Sequence, residues 1–488
     1  MRNVVISFLL ALTLFGCAVG PNYQRPSVGT PPSWRFEEKE AREVANTAWW
    51  EQFEDPVLND LIQTALKENK DVKIAAARVE EFMGRHVTTR AALFPQVGTG
   101  ASAGRSRSTE KGPVPFSSAV ENPADSYQVF LNASWEIDLW GKLRRATEAA
   151  RADLLSTEEG RRAVILTLVT SVASAYVNLR GLDKQLDIAK RTVESREESY
   201  NLFKLRLQKG VISETELYQA KSEYEQALAT IPFLEKTIAQ QENLLSVLLG
   251  RNPGPIPRGK TVDVLALPPV PAGLPSDLLA NRPDIRQAEQ DLIAANARIG
   301  VAKSLYFPSI SLTGLFGSAS TDLSNLFSGP AKVWSFTAPL TAPIFTGGAI
   351  RGQVRSAEAV QQQALLRYQQ SIQVSFREVE DALVDQKKSR EQLEVQARLL
   401  ESLRNYVRLA RLRFDNGYTS YIEVLDAERS LFNAELAQAK TKGVFFQALV
   451  NLYNAMGGGW VLEADHLTGT TTDSKISMHG SEVLHANQ

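Results

Sequence analysis

The chain has 488 residues, with 54 Lys and Arg against 55 Asp and Glu, so its net charge is close to zero. No basic block of the kind that tracks phosphates occurs, which argues against nucleic acid as a partner. Cys17 is the only cysteine, so no disulfide can form within one chain.

Arg2 and the apolar run from Val4 to Phe15 form a secretory signal, too short to span a bilayer as a helix. Leu14-Phe15-Gly16-Cys17 follows and resembles the bacterial lipobox, which implies a covalent lipid on Cys17. Ala18, rather than Asp, resembles the pattern sent on to the outer membrane. One acyl chain holds a bilayer only marginally, so several chains or a second anchor are expected.

A Pro-rich stretch, Pro21 to Ser33, leads to Trp49-Trp50, Phe53 and Asp55-Pro56, good chemistry for a helix start. One helix is predicted to about Lys67 and another over Val72 to Leu93. Val97 to Ser108 alternates weakly, and Tyr127 to Leu139 alternates strongly between apolar and polar residues. Lys142 to Gln208 contains no proline and predicts roughly 100 Å of helix. Its apolar run Ala163 to Val177 is too short to cross a membrane alone. Gly210 reverses the chain into a return helix in which Pro232 predicts a kink. After the Pro-rich section Gly250 to Pro283, strands are predicted over Ile310 to Phe316 and Trp334 to Ile344. A second long helix, a turn at Gly417 and a second return helix follow, and the chain beyond Trp460 is polar and aperiodic.

This order is a duplication. Phe94-Pro95-Gln96-Val97 returns as Phe307-Pro308-Ser309-Ile310, 213 residues on. Leu205-Arg206, Gly210, Ser213 and Glu216 return 207 residues on as Leu412-Arg413, Gly417, Ser420 and Glu423. In both halves the long helices keep the same heptad phase, each with one exception, Arg196 in the first and Gln396 in the second. The predicted segments are a signal peptide (1–16), a lipidated extended segment (17–55) and a helical segment (56–95). A first barrel hairpin (96–140), a first coiled-coil helix pair (141–249) and a linker (250–283) come next. The second repeat supplies a helical segment (284–308), a hairpin (309–345) and a helix pair (346–460), before a flexible tail (461–488).

Four strands cannot close a barrel, and an open sheet edge is intolerable in lipid, so protomers must pool strands. The long helices carry charge throughout and cannot lie in the membrane. A barrel continuous with a helical tube is a duct. A lipid-anchored periplasmic coiled-coil adaptor or structural spacer with no pore is the alternative.

Pro21-Asn22-Tyr23, Trp49-Trp50, the block Val270 to Leu279 with Arg282-Pro283-Asp284-Ile285, and Gly457-Gly458-Gly459-Trp460 resemble the TolC-like outer membrane factors of bacterial multidrug efflux pumps. The likeness is to their lipoprotein, OprM-like branch. It implies a mixed α and β, internally duplicated protomer whose homotrimer builds a 12-stranded transmembrane β-barrel continuous with a long periplasmic α-helical barrel. It also implies export of small molecules delivered by an inner-membrane resistance-nodulation-division pump through a periplasmic adaptor. Carried over by position, Ile422 and Asp426 would ring the periplasmic gate, with Arg413 and Phe414 nearby. Lys209, Gly210, Val211, Asn416, Gly417 and Tyr418 would form the adaptor-docking turns. No catalytic constellation is visible and no cofactor is expected beyond the lipid. His86 stands alone on a helix, and Gly457-Gly458-Gly459 lacks the Lys-Ser/Thr of a phosphate loop.

Overall fold

A computed structural model describes residues 18–31, 33–35, 48–109, 111, 121–267, 275–457 and 459–468. Cys17, and the block 268–274 that carries part of the family likeness, lie outside these residues. Two compact units emerge. The first draws on Met1–Ser27, Val79–Thr157 and Ala288–Tyr368, the second on Val28–Arg78, Glu158–Gln287 and Gln369–Gln488. Each therefore takes matching pieces from both halves of the duplication.

In the first unit, β1 (Gln96–Ser106), β2 (Ala124–Ile137), β3 (Ser309–Ser320) and β4 (Lys332–Thr337) pair antiparallel in that order, and β5 (Leu340–Thr341) joins β3. The single strand predicted from Trp334 to Ile344 is thus broken. Pro339 has no N–H to give the ladder, and its carbonyl instead accepts from Ser311 N at 3.2 Å.

Register separates two faces. Thr99, Leu131, Phe316 and Trp334 form one row across the sheet, and Gln96, Ser134, Thr313 and Thr337 form a row on the other face. Phe316 and Trp334 are 61% and 75% exposed, an unusual position for such side chains in water. The polar row is closed by a 3.1 Å hydrogen bond between the Thr313 and Thr337 hydroxyls.

The residues after Cys17 are strapped to this unit. Val19 N donates to Trp140 O (2.9 Å), Asn296 to Pro21 O (2.9 Å), and Arg145 to the Asn22 side chain (2.6 Å). Tyr23 and Arg25 both reach Glu289, at 3.0 and 2.9 Å. Trp140 stacks on Phe307 with centroids 4.7 Å apart.

The second unit is helical. It takes in α1 (Pro56–Glu68), the start of α2 (Lys70–Ala91), most of α3 (Lys142–Gln208), α4 (Glu214–Leu248), α5 (Pro275–Asn281), the start of α6 (Pro283–Ser304), most of α7 (Ala349–Asp415), α8 (Tyr421–Met456) and α9 (Gly459–Leu467), the rest of α2, α3, α6 and α7 belonging to the first unit. Pro232 lies within α4, which remains helical past it. The apolar run of α3 is core: Ile165, Val169, Val172, Ala173 and Tyr176 are fully buried. Trp49 stacks on Tyr453 at 5.0 Å, and Trp50 meets Trp460 edge-on at 5.3 Å.

Helix α9 corrects the reading of the chain beyond Trp460 as aperiodic. Trp460, Val461 and Ala464 share a helical face and are buried, and Arg161 pairs with Asp465 at 2.6 Å. Three apolar residues in one turn are too few to register as a period, but enough to seat a short helix.

A polar hub fixes the start of α1. The buried Asp55 carboxylate caps the helix by accepting from Val57 N (3.0 Å), and also accepts from Tyr176 OH (2.7 Å) and Lys260 N (3.0 Å). Gly259 N in turn donates to the Tyr176 oxygen at 2.9 Å.

Candidate functional site

The two helix reversals at the end of the second unit are built alike. Gly210 and Gly417 have φ of +71° and +74°, a region that disfavours any side chain. Gly210 N donates to Leu207 O (2.8 Å) and Val211 N to Arg206 O (3.0 Å). Gly417 N donates to Phe414 O (2.9 Å) and Tyr418 N to Arg413 O (2.9 Å). These are paired Schellman closures, which satisfy the last carbonyls of α3 and α7. Asn416 Nδ2 adds a bond to Leu412 O at 2.7 Å. Val211 and Tyr418 stand out from the turns, 71% and 78% exposed.

Behind the turns the helix pairs are locked by aromatic packing. Phe203, Ala220, Val407, Ala410, Tyr421, Val424, Leu425 and Ala427 form one buried cluster, with Phe414 and Ile212 against it. The Phe203 and Tyr421 centroids are 4.0 Å apart, and Phe414 and Tyr421 5.0 Å. The Arg206 guanidinium lies over Phe203 and Phe414, at 5.7 and 5.6 Å.

The four residues carried over to the gate fall into separate contacts. Ile422 is exposed at the start of α8. Asp426 pairs with Arg429 one turn on, at 2.6 Å, so its charge has a neighbouring cation. Arg413 pairs not with Asp426 but with Glu423, at 2.7 Å, and Phe414 is held in the aromatic cluster.

A second charged set adjoins them, of which the sequence marked only Arg196, as a break in the heptad seam. Arg196, the residue that breaks the heptad seam, is buried and donates to Glu223 O at 2.6 Å; its side chain pairs with the Glu223 carboxylate at 3.1 Å. It also covers the Phe432 ring at 5.1 Å. Burial pulls the guanidinium below its ordinary pKa, against the pull of Glu223 and Glu428, and it stays charged. Glu223 reaches Arg429 at 4.0 Å. A charge in an apolar heptad position was the available signal, because burying one requires a partner.

No group of three or more potential metal ligands occurs among the described residues. The first unit holds an unclosed sheet with one apolar and one polar face, and the second holds coiled-coil hairpins with Schellman tips.

The family model described as outer membrane efflux protein matches residues 61–251 and 274–458, one block in each half of the duplication. The chain belongs to that family. It is an outer-membrane efflux channel and not an enzyme, and no finding favours the poreless spacer. The chain is 37% identical over 473 residues to the toluene efflux pump outer membrane protein TtgF of Pseudomonas putida, covering 94% of this chain and 98% of that one. It is 37% identical over 465 residues to the cation efflux system protein CusC of Escherichia coli, covering 93% and 98%. The solved CmeC outer membrane channel of Campylobacter jejuni superposes with a TM-score of 0.88 at 27% identity, covering 94% and 100%.

Proposed function

We propose that this protein is the exit duct of a tripartite efflux system, working as a homotrimer in the outer membrane. The observation that carries this reading is the sheet. Its apolar row faces outward unprotected, its polar row lies opposite, and β1 and β4 each leave an edge unpaired within the chain. In lipid those edges require partners, and three protomers supply twelve strands around a water-filled bore. The helix pairs of three protomers would likewise form a tunnel.

Cargo arrives from an inner-membrane resistance-nodulation-division pump through a periplasmic adaptor. The exposed turns Lys209, Gly210, Val211 and Asn416, Gly417, Tyr418 suit the adaptor contact. Ile422 and Asp426, with Arg413 and Phe414 behind them, suit the periplasmic constriction. Relatives of similar identity are named for toluene and for cations, which favours cargo choice by the pump rather than by this duct. The lipid on Cys17 would sit beside Ala18, whose Cα lies 2.8 Å from where a side chain on Gly141 would begin. That position of Ala18 supports an anchor near the foot of β2.

The test is planar-bilayer conductance of the purified protein together with heat-modifiable oligomer migration on a gel. Discrete channels and a trimer band that collapses on boiling are expected. Absence of both would return the chain to the spacer reading.

A further inference from the structure

The duplication places an internal control beside the gate. Ser213 and Glu216 form a capping box at the start of α4. The Glu216 carboxylate accepts from Ser213 N (2.8 Å) and Oγ (3.1 Å), and Ser213 Oγ accepts from Glu216 N (3.4 Å). Ser420 and Glu423 are the same residue types, 207 positions on, at the start of α8. There the box is absent. Ser420 makes no side-chain cap, and Glu423 is drawn away to Arg413 Nη1 (2.7 Å) and the Thr419 hydroxyl.

One sequence difference and one difference of packing account for this. Thr419 stands where the first copy has Ile212, which packs into the apolar cluster and offers no donor. Arg413 stands where the first copy has Arg206, which is held over the Phe203 and Phe414 rings instead of reaching Glu216. A capping box satisfies helix donors that otherwise need water, so Glu423 has a second favourable position within reach.

The geometry points to Glu423 as a two-position latch. In one position it ties the end of α7, through Arg413, to the start of α8 and holds the second hairpin tip in the conformation seen here. In the other it caps α8 as Glu216 caps α4, and the tip is released. Exchange of one carboxylate between Arg413 and the Ser420 backbone therefore accompanies opening, and Arg413, Thr419 and Glu423 act as positioning residues. The first hairpin, with its box already closed, is the fixed member. This inference rests on the reading of the second hairpin tip as the gate.

The experiment is leak conductance of the full-length trimer in planar bilayers. Arg413→Ala and Glu423→Ala should each raise the leak by about two- to fivefold, the population shift that an exposed ion pair supports. The double variant should exceed neither single one, and the charge swap Arg413→Glu with Glu423→Arg should restore closure. Thr419→Ile, the first-copy residue, should raise the leak in part. Hydrogen exchange across residues 419–425 should slow in Arg413→Ala, because the released Glu423 then protects the Ser420 amide.

An intact trimer of Arg413→Ala with wild-type leak would overturn the latch. Asp426→Ala separates the two readings. If it raises the leak while Arg413→Ala does not, the latch alone fails. If neither does, the gate assignment fails with it.

Discussion

Gly210 and Gly417 hold the same left-handed backbone conformation, φ +71° and +74°, at corresponding turns of the two repeats. Neither has another group within 4 Å of where a Cβ would stand. The requirement for glycine is therefore purely conformational. Gly210→Ala and Gly417→Ala should each destabilise their hairpin by about 1–2 kcal/mol. Thermal unfolding of the trimer checks this, and the two values should agree closely.

Asp426→Ala removes a carboxylate from the hairpin tip and leaves Arg429 without its 2.6 Å partner. Leak conductance should rise, with reduced preference for cations, because three such carboxylates near one axis focus a negative field. Bilayer recording with asymmetric salt measures both. An unchanged reversal potential would remove Asp426 from the bore.

The two sheet faces should respond oppositely to charge. Phe316 lies in the apolar row between Leu131 and Trp334, whereas Thr313 lies in the polar row between Ser134 and Thr337. Phe316→Arg should cost about 2–4 kcal/mol if it meets the bilayer midplane, and should reduce the trimer recovered from membranes. Thr313→Arg should assemble normally and shift ion selectivity instead.

Tyr176→Phe should cost about 1–3 kcal/mol by leaving the buried Asp55 carboxylate and the Gly259 amide short of a partner. Gly259→Ala should be comparably damaging, since its Cβ would fall 2.0 Å from Asp55 Oδ1. Denaturant unfolding of the two variants and their double mutant should show non-additive losses, because both act on one hub.

Burial raises the pKa of both Glu158 and Glu159, against the pull of Arg162. A carboxyl group raised in the folded state penalises folding once it ionises, and the penalty disappears as pH falls through the folded pKa. Glu158→Gln should therefore raise the melting temperature at neutral pH. The gain should vanish as pH drops through the raised value towards the ordinary carboxylate range, about 4. A pH series of thermal melts decides it; a gain that grew in acid would contradict the sign.

Much of this protein was legible without a structure because the signals are local and repeated. Pro56 after Asp55, the glycines at the turns, and the alternation in Tyr127 to Leu139 act through neighbouring backbone, so they read directly. Where a signal was short or depended on a distant partner, it did not. Pro339 splits a strand whose alternation continues across it. The three apolar residues of α9 make no period. The gate residues came by positional likeness, and their actual neighbours, Glu423, Arg429, Glu223 and Arg196, lie on three different helices.

The sequence by itself determined the two-fold repeat, the strand and helix order, and the shortage of strands that compels copies to assemble. Those properties follow from composition, spacing and backbone preference. Only the tertiary structure decided which partner each charged group takes. Glu216 and Glu423 are identical residues in matching frames, yet one caps its helix and the other holds an arginine. Their difference is set by what packs across from them, and packing is a property of the assembled helices rather than of any one segment.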